Sequence, residues 1–61
     1  MTVADIAKRL MGMNAVMNIS YYKGLWHVNV RNHRAELIGS AKRVDLEESA
    51  QEALAKAEAW E

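Results

Sequence analysis

The spacing of apolar residues along this chain switches from helical to alternating and back to helical. Val3, Ile6, Ala7, Leu10 and Met11 recur at helical spacing, which predicts an amphipathic helix over roughly residues 3–13. Thr2 precedes the stripe and Asp5 follows three residues later. That is the pattern of a capping box, and its carboxylate also suits the positive end of the helix dipole. Gly12 and Asn14 mark the helix end.

From Val16 the period becomes two. Met17, Ile19 and Tyr21 alternate with Asn18 and Ser20, and then Trp26, Val28 and Val30 alternate with His27, Asn29 and Arg31. With Lys23-Gly24 as a two-residue hairpin loop, Tyr21 faces Trp26, Ile19 faces Val28, and Met17 faces Val30. The large apolar residues then share one face, and a slip of one residue would scatter them, so the register is strongly specified. A second tight turn at Asn32-His33 predicts a third strand over 34–40. In that register Val30 pairs with Ala35, Val28 with Leu37, and Trp26 with Gly39.

Helical spacing returns after Val44. Asp45 is a good N-cap with Glu48 as the reciprocal half of a capping box. Leu46, Ala50, Ala53, Ala57 and Trp60 form the buried stripe of a helix over roughly 46–60, with Leu54 beside it. Glu52 and Lys56 form a favourable pair one turn apart on its outer face. The expected fold class is α+β, a two-layer α-β-β-β-α arrangement. Both helices lie on the greasy face of a three-stranded antiparallel meander, and the other face is open.

Length and composition narrow the classes. Sixty-one residues make a single domain over 1–61, and a chain this short buries only about 60% of its unfolded surface. Cysteine is absent, which excludes disulfides and thiolate ligands. His27 and His33 alone cannot close a structural zinc site, so no metal and no cofactor are expected. No apolar run approaches the roughly 20 residues of a membrane span. Asp5, Lys8 and Arg9 interrupt any signal-peptide layout, so the expectation is cytoplasmic with no membrane contact.

The net charge is zero, yet charges are segregated. Residues 1–44 carry seven basic side chains against two acidic ones, and residues 45–61 carry six acidic against one basic. Such asymmetry can steer partners. The predicted register places Tyr22, Leu25, His27, Asn29, Arg31, Arg34 and Ile38 on the open face, with Arg31 and Arg34 paired across the second turn, Glu36 on the same side, and Asn18 and Ser20 completing it. Exposed apolar residues mixed with arginines suit an interface. Lys23, Lys42 and Arg43 extend this into a basic patch able to meet phosphates. No Ser/His/Asp arrangement, metal-ligand cluster or Gly-rich phosphate loop is visible, so no catalytic residue is assigned.

The element order and length resemble the double-stranded RNA-binding domain. The resemblance implies RNA held by the loop after the first strand and by a basic cluster at the last helix. Here those positions fall on Lys23-Gly24, and on Lys42 and Arg43 ahead of an acidic Asp45-Leu46-Glu47-Glu48 opening. The same order is similar to the HicA-type toxin ribonucleases, whose catalytic histidine follows a glycine on the second strand. Lys23-Gly24-Leu25-Trp26-His27 is similar to that pattern, at a different spacing and without the family's intervening serine, and would give His27 the role. Leu46 to Leu54 looks like the closing helix of short phage and bacterial proteins, HicB-like antitoxins among them.

The functional expectation is a non-enzymatic interaction module, a bacterial or phage accessory protein that binds a protein partner through its open face or edge strands. A homodimer is plausible because the expected edge strands carry few protections against pairing. Nucleic-acid binding through the basic patch is the alternative, and a His27-dependent ribonuclease a third.

Overall fold

The computed structural model describes residues 1–60. It is an α+β fold in the order α1 (Val3–Gly12), β1 (Val16–Tyr22), β2 (Leu25–Arg31), β3 (Leu37–Arg43) and α2 (Leu46–Ala59). The strands form one antiparallel sheet in the order β1-β2-β3, with the helices layered on one side. No helix among these residues is long and apolar enough to cross a membrane.

Both helix starts follow from their caps. The Thr2 hydroxyl accepts from the Asp5 amide, and the Asp5 carboxylate accepts from the Thr2 amide, closing the box. Those hydrogen bonds also hold the Asp5 carboxyl below the usual aspartate range. At α2 the Asp45 side chain accepts from the Glu48 amide at 3.0 Å. The first helix stops at a left-handed residue, Asn14, with φ of 60°. The amides of Asn14 and Ala15 bond back to the Met11 and Leu10 carbonyls, the Schellman arrangement that satisfies a helix end. Trp60 caps α2 rather than continuing it.

The first hairpin has the predicted register, from Val16 opposite Arg31 to Tyr22 opposite Leu25. Lys23 and Gly24 have φ of 51° and 81°, the type I′ geometry that matches strand twist. The Tyr21 and Trp26 rings meet across the strands at 4.8 Å between centroids.

The second turn corrects the predicted third strand. Instead of a two-residue loop at Asn32-His33, the loop is His33-Arg34-Ala35. Ala35 donates its amide to the Asn32 carbonyl, and the Asn32 amide donates to the Glu36 carbonyl. The left-handed position falls on Ala35, φ 64°. The Asn32 side chain organises the turn, accepting from the Arg34 and Glu36 amides and donating to the Glu36 carboxylate. An odd loop reverses which residues of β3 face the helices. A bulge then reverses them again: Arg31 pairs with Leu37, Ile38 has no partner, and Val30 pairs with Gly39. Val28 therefore opposes Ala41 rather than Leu37, and Trp26 opposes Arg43 rather than Gly39.

The core lies between sheet and helices. Ile6, Leu10, Val28 and Val30 are almost wholly buried, with Ile38, Ala41, Ala50, Ala53, Leu54 and Ala57 around them. Burying a side chain of the larger kind contributes about 1.5–3 kcal/mol. The alanine stripe of α2 lets that helix sit on the backbone of β3 at Gly39. A Cβ there would overlap the Ala53 carbonyl oxygen. Ser49, wholly buried, donates towards the Trp26 and Asp45 carbonyls and so ties α2 to β2. Arg43 bonds Glu52 at 2.7 Å, and Lys56 bonds both Glu52 and the Ser40 carbonyl.

Candidate functional site

With α2 over β2 and β3, and α1 packed on α2 and beside β1, one face of the sheet stays bare. The observed register decides what stands on it. Three rows run across the strands: Asn18–Asn29–Ser40, Ser20–His27–Lys42, and Val16–Arg31–Leu37, with Tyr22 beside Leu25 at the first turn. The prediction for Tyr22, Leu25, His27, Asn29 and Arg31 holds, because β1 and β2 pair as expected.

The prediction for the rest does not. Ile38 is buried among the helices, at 7% exposure, because the three-residue loop turns it inward ahead of the bulge. Arg34 sits in the loop, so the expected Arg31–Arg34 pair across strands does not form. Arg31 opposes Leu37 instead, and its guanidinium donates to the Ala35 carbonyl at 2.9 Å. Glu36 pairs with Asn32 at the loop base, on the helix-facing parity. In their place the structure brings Lys42 onto the face beside His27, and Leu37 beside Arg31. Arg43, grouped with Lys42 in the predicted basic patch, points the other way and is bound to Glu52. That pairing raises the Arg43 pKa and lowers that of Glu52.

The electrostatics of the face follow. Its charged side chains, Arg31 and Lys42 with Lys23 at the turn, are all basic. The acidic residues Asp5, Asp45, Glu47, Glu48, Glu52 and Glu58 belong to the helices and their caps, and Glu36, at the base of the second loop, is bonded to the Asn32 side chain. Around the cations stand exposed apolar side chains: Val16 at 61%, Tyr22 at 60% and Leu37 at 49%. Tyr22 meets His27 edge-on at 6.4 Å, and the Lys23 ammonium lies 5.2 Å from the Tyr22 ring centre. The imidazole of His27 has Ser20 on one side and Lys42 on the other, and no carboxylate shares its row to orient it. Among the described residues no group of His, Asp and Glu side chains is arranged to hold a metal ion.

The helix side holds a second exposed region. Along β1, Met17 is half-buried, Ile19 is 40% exposed and Tyr21 61%, so the helices cover the start of the strand and leave its far end bare. The two edges also differ, against the expectation that both carry few protections. β3 carries a bulge, Lys42 and Arg43, and its outward Ser40 carbonyl is bound by the Lys56 ammonium. β1 carries no charge at all. A shallow cleft of about 320 Å³ lies between the helices, where Arg9 and Glu58 pair at 3.5 Å.

Compared with protein-family models, curated proteins and solved structures, the chain matches none. The αβββα order is present, and nothing further ties the chain to the RNA-binding or toxin families named above.

Proposed function

We propose that this protein is a non-enzymatic interaction module whose open sheet face docks an acidic segment of a partner protein. The observation that carries this reading is the composition of that face, where Arg31, Lys42 and Lys23 stand among exposed Val16, Tyr22 and Leu37 without a carboxylate. An acidic segment with apolar side chains answers both halves of that surface. The charges would steer encounter and register, and the tyrosine and arginine would carry most of the affinity, as such residues do at interface centres. The rigid sheet offers the amide row Asn18–Asn29–Ser40 for hydrogen bonds that fix orientation.

The test is a titration with a fluorescently labelled peptide rich in glutamate and leucine, at low and physiological salt. Saturable binding that Lys42→Glu abolishes supports the reading. Lys42 is exposed, so the substitution should leave stability within about 1 kcal/mol. Absence of binding at low salt, or binding indifferent to Lys42→Glu, overturns it.

A second reading has its own observation. The Tyr22 and His27 rings lie next to Lys23 and Lys42, and stacking platforms flanked by cations hold single-stranded nucleic acid. Here the same assay with labelled RNA would show an affinity falling steeply with salt, and Tyr22→Ala would weaken it.

A further inference from the structure

Strand β1 is an edge of the sheet and carries no charged side chain. We propose that it pairs antiparallel with β1 of a second copy, about a two-fold axis passing through Ile19, to form a continuous six-stranded sheet. This goes beyond the open-face reading and does not depend on it.

The type I′ turn fixes which backbone groups are free. The residues flanking a two-residue loop exchange hydrogen bonds, so Tyr22, Ser20, Asn18 and Val16 turn their amides and carbonyls to β2. Met17, Ile19 and Tyr21 turn theirs outward. The other edge confirms this alternation, since the carbonyl taken by Lys56 is that of Ser40, an outward residue of β3. Placing the axis at Ile19 opposes Ile19 with its own copy and Met17 with Tyr21, and all of these present free backbone groups to one another. It also opposes Asn18 with Ser20 and Val16 with Tyr22, so the whole of Val16–Tyr22 is paired.

Side chains agree with that register. On the helix side, Met17 meets the tyrosine ring of the other copy, a favourable sulfur–aromatic contact. Ile19 packs on Ile19, extending the patch that Tyr21 and Trp26 begin. On the open side, valine meets tyrosine, and an amide meets a hydroxyl. No like charges are brought together: Lys23, the nearest charge, falls opposite Ala15.

The exposed area sets the strength. An aromatic side chain carries about 150–250 Å², so two tyrosines some three-fifths exposed leave roughly 200–300 Å² open between them. With Val16, Ile19 and Met17, each copy would cover several hundred square ångströms. Counted over both copies, that falls below the roughly 1,200–2,000 Å² of stable specific interfaces and in the range of weak, transient ones. The dimer should therefore be concentration-dependent, not permanent. β3 cannot substitute, because its bulge, its two cations and the Lys56 contact are the devices that blunt an edge.

The decisive experiment uses sedimentation velocity over a wide range of concentration, with Ile19→Lys and Ile19→Glu. Position 19 is 40% exposed, and unchanged circular dichroism melts of the dilute variants would show that both fold. The wild type should shift from monomer to dimer as concentration rises. Each variant alone should remain monomeric, because the axis places two like charges in contact. An equimolar mixture of the two variants should regain the dimer, since the axis then joins lysine to glutamate. Hydrogen exchange at the Ile19 amide should slow as the wild type is concentrated, while the Asn18 amide, bonded within the hairpin, stays unaffected. A wild type that stays monomeric throughout overturns the proposal. So do a dimer indifferent to both variants and a mixture that remains monomeric. Peptide binding to the open face is read separately through Lys42→Glu, so failure of either idea leaves the other standing.

Discussion

Replacing Gly39 by alanine tests the packing of α2 on β3 at its tightest point. The added methyl would lie inside contact distance of the Ala53 carbonyl oxygen and 3.1 Å from the Ala57 amide nitrogen. Both are backbone atoms of a helix, so no side chain can swing away, and trimming Ala53 would not make room. The helix must lift, loosening the contacts of Ala50, Ala53 and Ala57 with the sheet. Overpacking of this kind costs about 1–3 kcal/mol. Alanine is favoured over glycine within a strand by about 0.5–1 kcal/mol, which offsets part of that, and the obstruction by backbone pushes the cost to the upper part of the range. A net loss of about 1–2 kcal/mol is expected. Against a total stability of about 3–9 kcal/mol for a chain of this size, that is a large fraction, and the melting temperature should fall by roughly 5–15 °C. Urea unfolding followed by the fluorescence of Trp26 and Trp60 reads the change as a lower midpoint with similar slope. Gly12→Ala is the internal control. Nothing lies within 4 Å of a Cβ there, and in a helix the substitution should stabilise by up to about 1 kcal/mol. If Gly39→Ala leaves the midpoint unchanged or raises it, the close approach of helix to strand is wrong.

Ala35→Gly should stabilise the protein by about 0.5–1 kcal/mol, because a left-handed conformation costs an L-residue about 1–2 kcal/mol and glycine loses part of that gain in chain entropy; a lower urea midpoint would contradict the turn geometry. Ser49→Ala should cost about 1–2 kcal/mol in the same assay, since it removes a buried hydroxyl from two carbonyls, and a neutral result would mean that neither bond matters. The Glu52 carboxyl is held below its ordinary range by hydrogen bonds from Arg43 and Lys56. Its contribution is therefore present above the usual glutamate pKa and lost as pH falls through the lowered folded-state value. Glu52→Gln should flatten that acid limb, and an unchanged pH dependence of the midpoint would assign the limb to other carboxylates.

The parts of the fold that depend on local chemistry were legible in the sequence. Thr2 and Asp5, Asp45, and the Lys23-Gly24 loop each signal their role through residues whose hydrogen bonds or positive φ have few alternatives, and β1, β2 and both helix starts follow from them. β3 was misplaced because two departures compensate. Asn32 invites a turn centred on itself, since asparagine tolerates positive φ. In the structure it stands before the turn and works through its side chain, and the left-handed position passes to Ala35, which no propensity rule selects. The bulge at Ile38 leaves no sequence mark beyond the adjacent glycine. The site inherited this error selectively. Tyr22, Leu25, His27, Asn29 and Arg31 were placed correctly because they lie on the first hairpin. Arg34, Glu36, Ile38 and Arg43 leave the places expected for them because they follow the second turn, while Lys42 comes to the open face with Arg31 and Lys23. Ser49 gave no signal, since a serine in a helix is usually read as surface.

The three-residue loop and the single-residue bulge behave as a pair of compensating frameshifts. Each alone would turn β3 over, presenting Ser40 and Lys42 to the alanines of α2 and exposing Gly39 and Ala41 to water. Lineages carrying this fold should therefore accept changes in length between Asn32 and Gly39 mainly in twos. A one-residue deletion in the loop would survive only alongside loss of the bulge, and that double change would leave the helix seated on the sheet while shortening the hairpin tip.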